Sequence, residues 1–392
     1  MKEVPATWRW EGLRRVVATL SATGQPARLV GGCVRDALLG VDAKDLDLAT
    51  PLHPEEATRR LREAGIKVVP TGIAHGTVTA VIDGRPIEIT TLRRDVETDG
   101  RHAVVDFTDD WTADAERRDL TINALFADLD GTIYDQVGGL PDLRAGRVRF
   151  VGDPEKRIAE DYLRIPRFFR FHARFARLPP DPDTVAAIAC GMAGIDQLAG
   201  ERVKAEMFAL LALEQPMAGV TLAETVGYWP RIWGAAGDLS TLARLIAREA
   251  AQGLTGDPLR RLAALAGKAA TPALAERLRM SKAEAKRLLA IPPARAEILE
   301  ATPNASQRLR RRLGATAARD AALIEADEDL VADWVRITAT EVPAMPLTAA
   351  DLLAQGLTPG PELGRRLAAL QDWWDDAEGK PDRAACLGKA LG

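Results

Sequence analysis

Along this 392-residue chain the rhythm of apolar and polar positions changes near Asp153. Before that point the segments are short and mixed. Residues 8–21 carry apolar positions at helical spacing, which predicts an amphipathic helix with Thr7 as its cap. Ala27–Val30 is a short apolar strand that runs straight into Gly31-Gly32. A second helix is expected over 33–39, stopped by Gly40. Asp45–Ala49 alternates charged and apolar residues with the period of a strand. Helix 54–64 follows, with Pro54 in a permitted first-turn position and Gly65 just past its end. Strand-like runs come next at 66–69, 77–82 and 86–92, the last two joined by the turn Asp83-Gly84. After Asp153 the β-branched runs fade and Ala/Leu/Arg/Glu stretches dominate. Helices are predicted over 154–177, 199–213, 240–252, 258–267, 271–291, 317–334 and 361–376. The pattern thus predicts an α+β chain, a mixed α/β part followed by an all-helical part, with no repeat of fixed period.

Composition narrows the classes. Hydrophobic residues make up 47% and charged residues 28%, ordinary for a soluble globular chain. A net charge of −4 excludes a wholly basic coat but leaves room for local basic surfaces among 52 lysines and arginines. Cys33, Cys190 and Cys386 form no CxxC pair, which argues against a thiolate zinc site or disulfide framework and for a reducing cytoplasm. Cys33, behind two glycines, reads as a small buried filler or as a reactive thiol. The N-terminus lacks an apolar h-region, so no signal peptide is expected, and no run reaches the roughly 18 apolar residues of a membrane span. All four histidines, His53, His75, His102 and His172, precede residue 173, which excludes a histidine metal centre in the C-terminal half.

Candidate chemistry begins at the glycine pair. Gly31-Gly32-Cys33-Val34-Arg35-Asp36 joins a strand to a helix, and a turn free of side chains lets backbone N–H groups approach phosphate oxygens. Arg35 is one turn into the helix and within reach of the same phosphates. By itself the motif reads equally as a simple turn. Asp45 and Asp47 flank Leu46, and on a strand residues two apart share a face. Two carboxylates so close repel unless a cation lies between them, and Mg²⁺ carrying a triphosphate is the expected cation. The alternative is a solvated strand edge beside Lys44.

The stretch Leu29–Gly40, followed by Lys44-Asp45-Leu46-Asp47-Leu48-Ala49-Thr50, resembles the opening motif of bacterial class II CCA-adding enzymes and poly(A) polymerases. That resemblance implies a polymerase-β-like nucleotidyltransferase head, a small mixed sheet with helices, followed by an all-helical neck, body and tail. It implies a catalytic head over 1–150, a neck selecting the base over 151–215, and a tRNA-binding body and tail over 216–392. It also implies that Gly32 and Arg35 contact the nucleotide and that Asp45 and Asp47 hold Mg²⁺. The superfamily uses a third carboxylate on a later strand, and Glu88 in Pro86-Ile87-Glu88-Ile89 is the candidate.

Four further blocks follow in the family's order. Arg117-Arg118-Asp119-Leu120-Thr121-Ile122-Asn123 is similar to the second; Arg118 supplies planar donors for phosphate or ribose, and Asp119 and Asn123 are expected on one face of a short helix. A capped surface helix is the alternative. Tyr134–Leu143 resembles the third block, a hinge in the family, whose glycines permit backbone change. Glu160–Phe171 resembles the fourth. Ile158, Tyr162, Ile165, Phe169, Ala173 and Ala176 fall at helical spacing and should face a core. Asp161 and Arg164, three apart, are expected as neighbours on another face. A carboxylate only accepts and a guanidinium only donates, so the pair matches the amino donor and ring-nitrogen acceptor that cytosine and adenine share. Uracil and guanine would leave donor facing donor, at about 1–3 kcal/mol per buried group. A plain helix ion pair is the other reading. The family implies nucleotide contacts for Arg167 and Arg170 as well, whereas Pro166 inside the expected helix should cost about 3 kcal/mol and kink it. Leu198–Met207 resembles the fifth block, a neck helix in which Glu201, Arg202 and Glu206 are expected to brace its neighbour.

Together the blocks imply an enzyme that adds CCA to tRNA 3′ ends from CTP and ATP, releasing pyrophosphate, with the tRNA 3′ end and acceptor region as partner. Poly(A) polymerase, or an enzyme adding only CC or only A, would carry the same blocks. A non-catalytic RNA-binding relative would gain nothing from Asp45 and Asp47. An oxidoreductase is disfavoured because the turn lacks GxGxxG. The clusters Ser281-Lys282, Lys286-Arg287 and Arg308–Arg312 are expected to track an RNA backbone or to be ordinary solvated faces. Some family members end in a phosphohydrolase domain needing histidines, and none follows His172 here.

Overall fold

The structure, a computed structural model, describes residues 4–43, 45–73, 76–98, 103–300, 306–339, 344–377 and 379–391. Lys44, His75 and His102 of the sequence reading lie outside them. The chain forms two compact units, Met1–Leu198 with Thr225–Gly227 and Ala199–Glu224 with Tyr228–Gly392.

The first unit is built on a seven-stranded mixed sheet. Its strands are β1 (Arg28–Val30), β2 (Asp47–Thr50), β3 (Lys67–Gly72), β4 (Thr77–Ile82), β5 (Arg85–Thr91), β8 (Leu125–Ala127) and β9 (Ile133–Asp135). Their order is β3-β4-β5-β2-β1-β8-β9. β2 and β5 run parallel and the other neighbours antiparallel. A separate two-stranded hairpin is made by β6 (Arg93–Thr98) and β7 (Ala103–Phe107). Asp83 and Gly84 both have positive φ, the geometry that a tight two-residue hairpin turn between β4 and β5 requires. Helices α1 (Glu11–Ser21), α2 (Gly32–Leu38), α3 (Pro54–Glu63), α4 (Trp111–Glu116) and α5 (Gly139–Ala145) surround the sheet, with α6 (Pro154–Glu160), α7 (Arg164–Phe175) and α8 (Pro182–Gly191) following. Beneath the ends of β1 and β2, Val30, Ala49, Leu92, Ala124 and Phe126 form one buried cluster. Burying the valine, leucine and phenylalanine side chains contributes roughly 1.5–3 kcal/mol each.

Several boundaries differ from expectation. Thr7 is not a cap; a short 3-10 turn over Ala6–Arg9 precedes α1, which starts after the extended Trp10. β2 starts at Asp47, so Asp45 precedes the strand and the two-residue alternation does not govern it. No helix carries Asp119; α4 stops at Glu116 and only Thr121–Asn123 forms a 3-10 turn. The expected helix 154–177 is two helices, broken at Asp161, whose φ and ψ of −155° and 105° are extended.

The second unit is helical in all its described elements, as the pattern predicts. Pro361–Asp376 matches the expected 361–376, whereas 271–291 divides into Pro272–Arg277 and Lys282–Glu300, with Arg279 at φ 48° between them. The expected 317–334 likewise divides into Ala315–Glu325 and Glu328–Ala339. A largely buried ionic network ties together helices Leu239–Ala251, Pro258–Ala266, Lys282–Glu300 and Ala315–Glu325. Glu249 pairs with Arg260 at 2.6 Å and Arg261 at 2.7 Å, and Asp320 pairs with Arg260 at 3.3 Å and Arg287 at 2.7 Å. The last helices, Ala349–Ala354, Pro361–Asp376 and Arg383–Leu391, close a small core of their own around Leu352, Leu370, Trp374 and Cys386. No helix among the described residues is long and apolar enough to cross a membrane.

Candidate active site

The site starts from a backbone constraint. Gly31 has φ 72° and ψ −124°, a conformation that side-chain-bearing residues rarely adopt, and its N–H donates to Leu125 O at 3.0 Å. The turn it makes ends β1 and starts α2 at Gly32. It opens on a cleft of about 880 Å³. Gly32, Arg35, Asp45, Asp47 and Glu88 line this cleft, and so do Arg118, Asp161, Arg164, Arg167 and Arg170. The ten residues singled out in the sequence therefore share one cavity.

The carboxylates come together through sheet register. Asp47 and Glu88 are direct partners across the parallel β2–β5 pair, and Glu88 N donates to Leu46 O at 3.1 Å. Burial, then the charges of Glu88 and Asp45, push the Asp47 carboxyl up to about 6, against a smaller pull from Arg118. A group of like charges in that state calls for a cation. Among the described residues no three His, Cys, Asp or Glu side chains are close enough to cage an ion unaided. The fit to a divalent ion rests on the donor chemistry itself: Asp45, Asp47 and Glu88 line one cleft, and Asp45 and Glu88 each raise the cost of charge on Asp47.

Buried acids hold the cationic wall in place. Asp114, 1% exposed, accepts from Arg117 at 2.7 Å and Arg118 at 2.8 Å, so neither guanidinium is a solvated surface group. These two arginines hold its carboxyl below the usual range despite burial. Asp119 accepts from Arg167 at 2.6 Å and from Asn123 Nδ2 at 3.2 Å; Asn123 Oδ1 accepts from Arg35 at 2.5 Å. Arg35 also donates to Asp36 at 2.8 Å and lies 4.3 Å over Phe175. A continuous chain Asp36–Arg35–Asn123–Asp119–Arg167 therefore links α2, the 3-10 turn and α7. The expected Asp119–Asn123 contact is present, made by a turn and not by a helix face.

Around α6 and α7 the structure corrects the sequence reading. Asp161 and Arg164 are not a helix ion pair. Asp161 accepts from Leu163 N at 3.0 Å, while Arg164 pairs with Glu160 at 2.5 Å and donates to Arg157 O at 2.7 Å and Arg117 O at 3.3 Å. Both nevertheless face the cleft. Pro166 is the third residue of α7, within the first turn, where a missing N–H costs little, so the expected kink does not arise. Ile158, Ile165 and Phe169 are buried as expected; Tyr162, Ala173 and Ala176 are only half-buried, and Phe168, Phe171 and His172 fill the core in their place.

Sequence reasoning missed Arg93, Thr77, Thr90 and Phe171 in the lining, and it missed Asp114 altogether. The spacing of Asp114 three and four residues before Arg117 and Arg118 was the available signal. In the third block Gly138 is left-handed, and a Cβ on Gly139 would sit 2.1 Å from Thr121 O, so packing and turn geometry account for both glycines. The fifth block forms helix Gly200–Leu211 of the second unit. The basic clusters there are largely consumed internally: Arg287 pairs with Asp257 and Asp320, Arg308 with Asp372, Arg311 with Asp375 and Arg312 with Glu297. Arg308 and Arg312 stay about half exposed within their pairs. Cys33 is fully buried and its thiol is pushed up to about 11 by desolvation, the filler reading.

Comparison with known proteins bears on this geometry. Residues 27–149 match the family model described as the poly A polymerase head domain. The mouse protein named CCA tRNA nucleotidyltransferase 1, mitochondrial, is 35% identical over 93% of this chain and 86% of its own length. The CCA-adding enzyme of Levilactobacillus brevis is 32% identical over 92% of each chain. The crystal structure of the Bacillus stearothermophilus CCA-adding enzyme in complex with CTP superposes with a TM-score of 0.74 at 28% identity, covering 93% of this chain and 92% of that one. Similarity of this extent runs through both units and not through the head alone, so the chain belongs to the CCA-adding tRNA nucleotidyltransferase family.

Proposed function

We propose that this protein adds CCA to the 3′ end of tRNA from CTP and ATP without a nucleic-acid template. The observation that carries the reading is similarity to a CCA tRNA nucleotidyltransferase along 93% of the chain. In each addition the terminal 3′-hydroxyl oxygen bonds to the α-phosphorus of the incoming nucleotide. The bond to the β-phosphate oxygen breaks, pyrophosphate leaves with the electron pair, and the hydroxyl proton passes to the carboxylates.

Nucleotidyltransferases of this family generally work with divalent metal ions. We assign Mg²⁺, held by Asp45 and Asp47 with Glu88 as the third catalytic carboxylate. When bound, the ion supplies Lewis-acid polarisation of the phosphate and lowers the pKa of the attacking hydroxyl. The rest is the chain's own work. Gly32 and Arg35 receive the triphosphate, and Arg118, anchored by buried Asp114, is pre-set for phosphate or ribose oxygens. Asp161 and Arg164 read the shared edge of cytosine and adenine, and Arg167 and Arg170 continue the cationic wall. Support comes from their common cleft and from the acceptors that fix Arg164 and Arg167 before any ligand arrives. Functionally we divide the chain into a catalytic head over 1–150, base selection over 151–215 and tRNA binding over 216–392. Three unpaired thiols fit a reducing compartment such as the cytoplasm.

The test uses tRNA transcripts ending before CCA, after C and after CC, each NTP supplied singly, with sequencing of the products. Stepwise C, C, A addition that stops is expected; a poly(A) tract or a halt after CC would overturn the reading. Asp45→Ala should abolish incorporation and leave tRNA binding nearly unchanged, and a comparable loss of binding would count against the metal role.

A further inference from the structure

Asp45 and Asp47 border two cavities, not one. The second, of about 400 Å³, shares Gly32, Arg35, Asp45 and Asp47 with the nucleotide cleft and adds Asp36, Val41, Asp42 and Arg174. The two differ in charge. Seven arginines face five carboxylates in the larger cleft, which suits a triphosphate. Two arginines face four aspartates in the smaller, which rejects a second triphosphate and leaves room for a singly charged group on Arg174. In a phosphoryl-type displacement the attacking and leaving oxygens lie roughly in line through phosphorus. If the leaving pyrophosphate lies in the arginine-rich cleft, the attacking hydroxyl must enter from another side, past the same carboxylates.

Arg174 is equipped for such a guest. Its side chain is 43% exposed, and among the described residues its ionic contact is with Asp36 at 3.4 Å, an acid whose other oxygen Arg35 already holds at 2.7 Å. It lies 4.9 Å over the Phe175 ring, which leaves the guanidinium edge available. At the rim, Val41 is 51% exposed, and its neighbour Leu39 44%. An exposed apolar side chain beside a phosphate-sized cation gives a nucleotide both a surface for its base and a partner for its phosphate.

We infer that this second cavity seats the 3′-terminal nucleotide of the RNA primer, with Arg174 on its last phosphodiester and Val41 against its base. The inference rests on the nucleotidyl-transfer reading and deepens it by assigning the second substrate's seat. Arg174 is a binding residue here, separate from the carboxylates that touch the reacting atoms.

The experiment measures ATP addition to a transcript ending in CC, varying each substrate in turn, for wild type, Arg174→Ala, Arg174→Lys and Val41→Glu, with melting curves to confirm folding. Arg174→Ala should lower kcat/KM for the transcript about tenfold, the size of one charge-assisted contact. The KM for ATP should stay within about twofold, Arg174→Lys should recover part of the loss, and Val41→Glu should again penalise only the transcript. A transcript whose last linkage is a neutral methylphosphonate should cost wild type about tenfold and Arg174→Ala nothing further. Equal methylphosphonate penalties in both proteins would overturn the assignment, as would losses confined to the KM for ATP, which would mean that Arg174 acts only through Asp36 and Arg35. An inactive wild type would sink the transferase reading and this one together; an active wild type with unchanged Arg174→Ala and Val41→Glu kinetics sinks this one alone.

Discussion

Arg164 reaches the cleft with its guanidinium already committed to Glu160 and to two backbone carbonyls. A planar donor set held this way cannot swing to suit a different base, which is what selection by unmatched hydrogen bonds requires. Arg164→Ala should therefore reduce the preference for CTP and ATP over UTP and GTP by about 10- to 100-fold, read from single-turnover incorporation of each NTP. Unchanged preference would reject the side-chain template. His172 shows the opposite use of burial. Its ring stacks on Phe168 with centroids 6.0 Å apart, and its Nδ1 has no hydrogen-bond partner among the described residues. Desolvation lowers its pKa below the ordinary 6.5. The unfolded chain then binds the proton more readily than the fold, so the stability contribution is whole above about 6.5 and is lost as pH falls through the folded value. Urea midpoints between pH 7.5 and 5 should fall more steeply for wild type than for His172→Phe; parallel slopes would show that His172 is not the group responsible.

At the scale of elements, tight backbone contacts decide where cleft residues stand. Gly139 begins α5 against the turn that carries Asn123, with no room for a methyl group before Thr121 O. Asp135 accepts from Gly139 N at 2.8 Å and Leu140 N at 2.9 Å, fixing the same junction from the other side. Gly139→Ala should cost about 1–3 kcal/mol in thermal or urea unfolding and weaken nucleotide affinity through the displaced turn. A variant as stable as wild type would mean that the turn yields easily, as a hinge would. The break between α6 and α7 has the same character. The sequence from 154 to 177 has continuous helical periodicity, and only the extended Asp161, bonding its own downstream backbone, ends the first helix.

Across the whole molecule, charge is spent inside as well as at the cleft. In the second unit Glu249 and Asp320, each 1% exposed, pair with Arg260, Arg261 and Arg287, and Asp257 adds a third carboxylate at Arg287. Removing one member of such a network strands its partners, so Glu249→Gln should destabilise by roughly 3–5 kcal/mol, measured by urea unfolding. A loss below about 1 kcal/mol would mean that the arginines find water or other acceptors. Charge counted along a chain does not distinguish a solvated arginine from one facing a buried carboxylate.

The local pattern was enough for the strand–Gly-Gly–helix junction, most strands of the sheet and the helical character of the described elements past Asp153, while most of the residues that meet in the cleft were singled out by the family resemblance. The local features depend on short-range causes: period, glycine freedom and the separation of like charges. Tertiary structure alone decided that Asp47 pairs with Glu88, since a parallel register joins strands 41 residues apart in the chain. It alone relieved Pro166 by starting α7 at Arg164, buried Asp114 to 1% exposure and joined Arg311 to Asp375, 64 residues on. Each of these turns on where a helix ends or which strands are neighbours, and those outcomes are set by competition among contacts far apart in sequence.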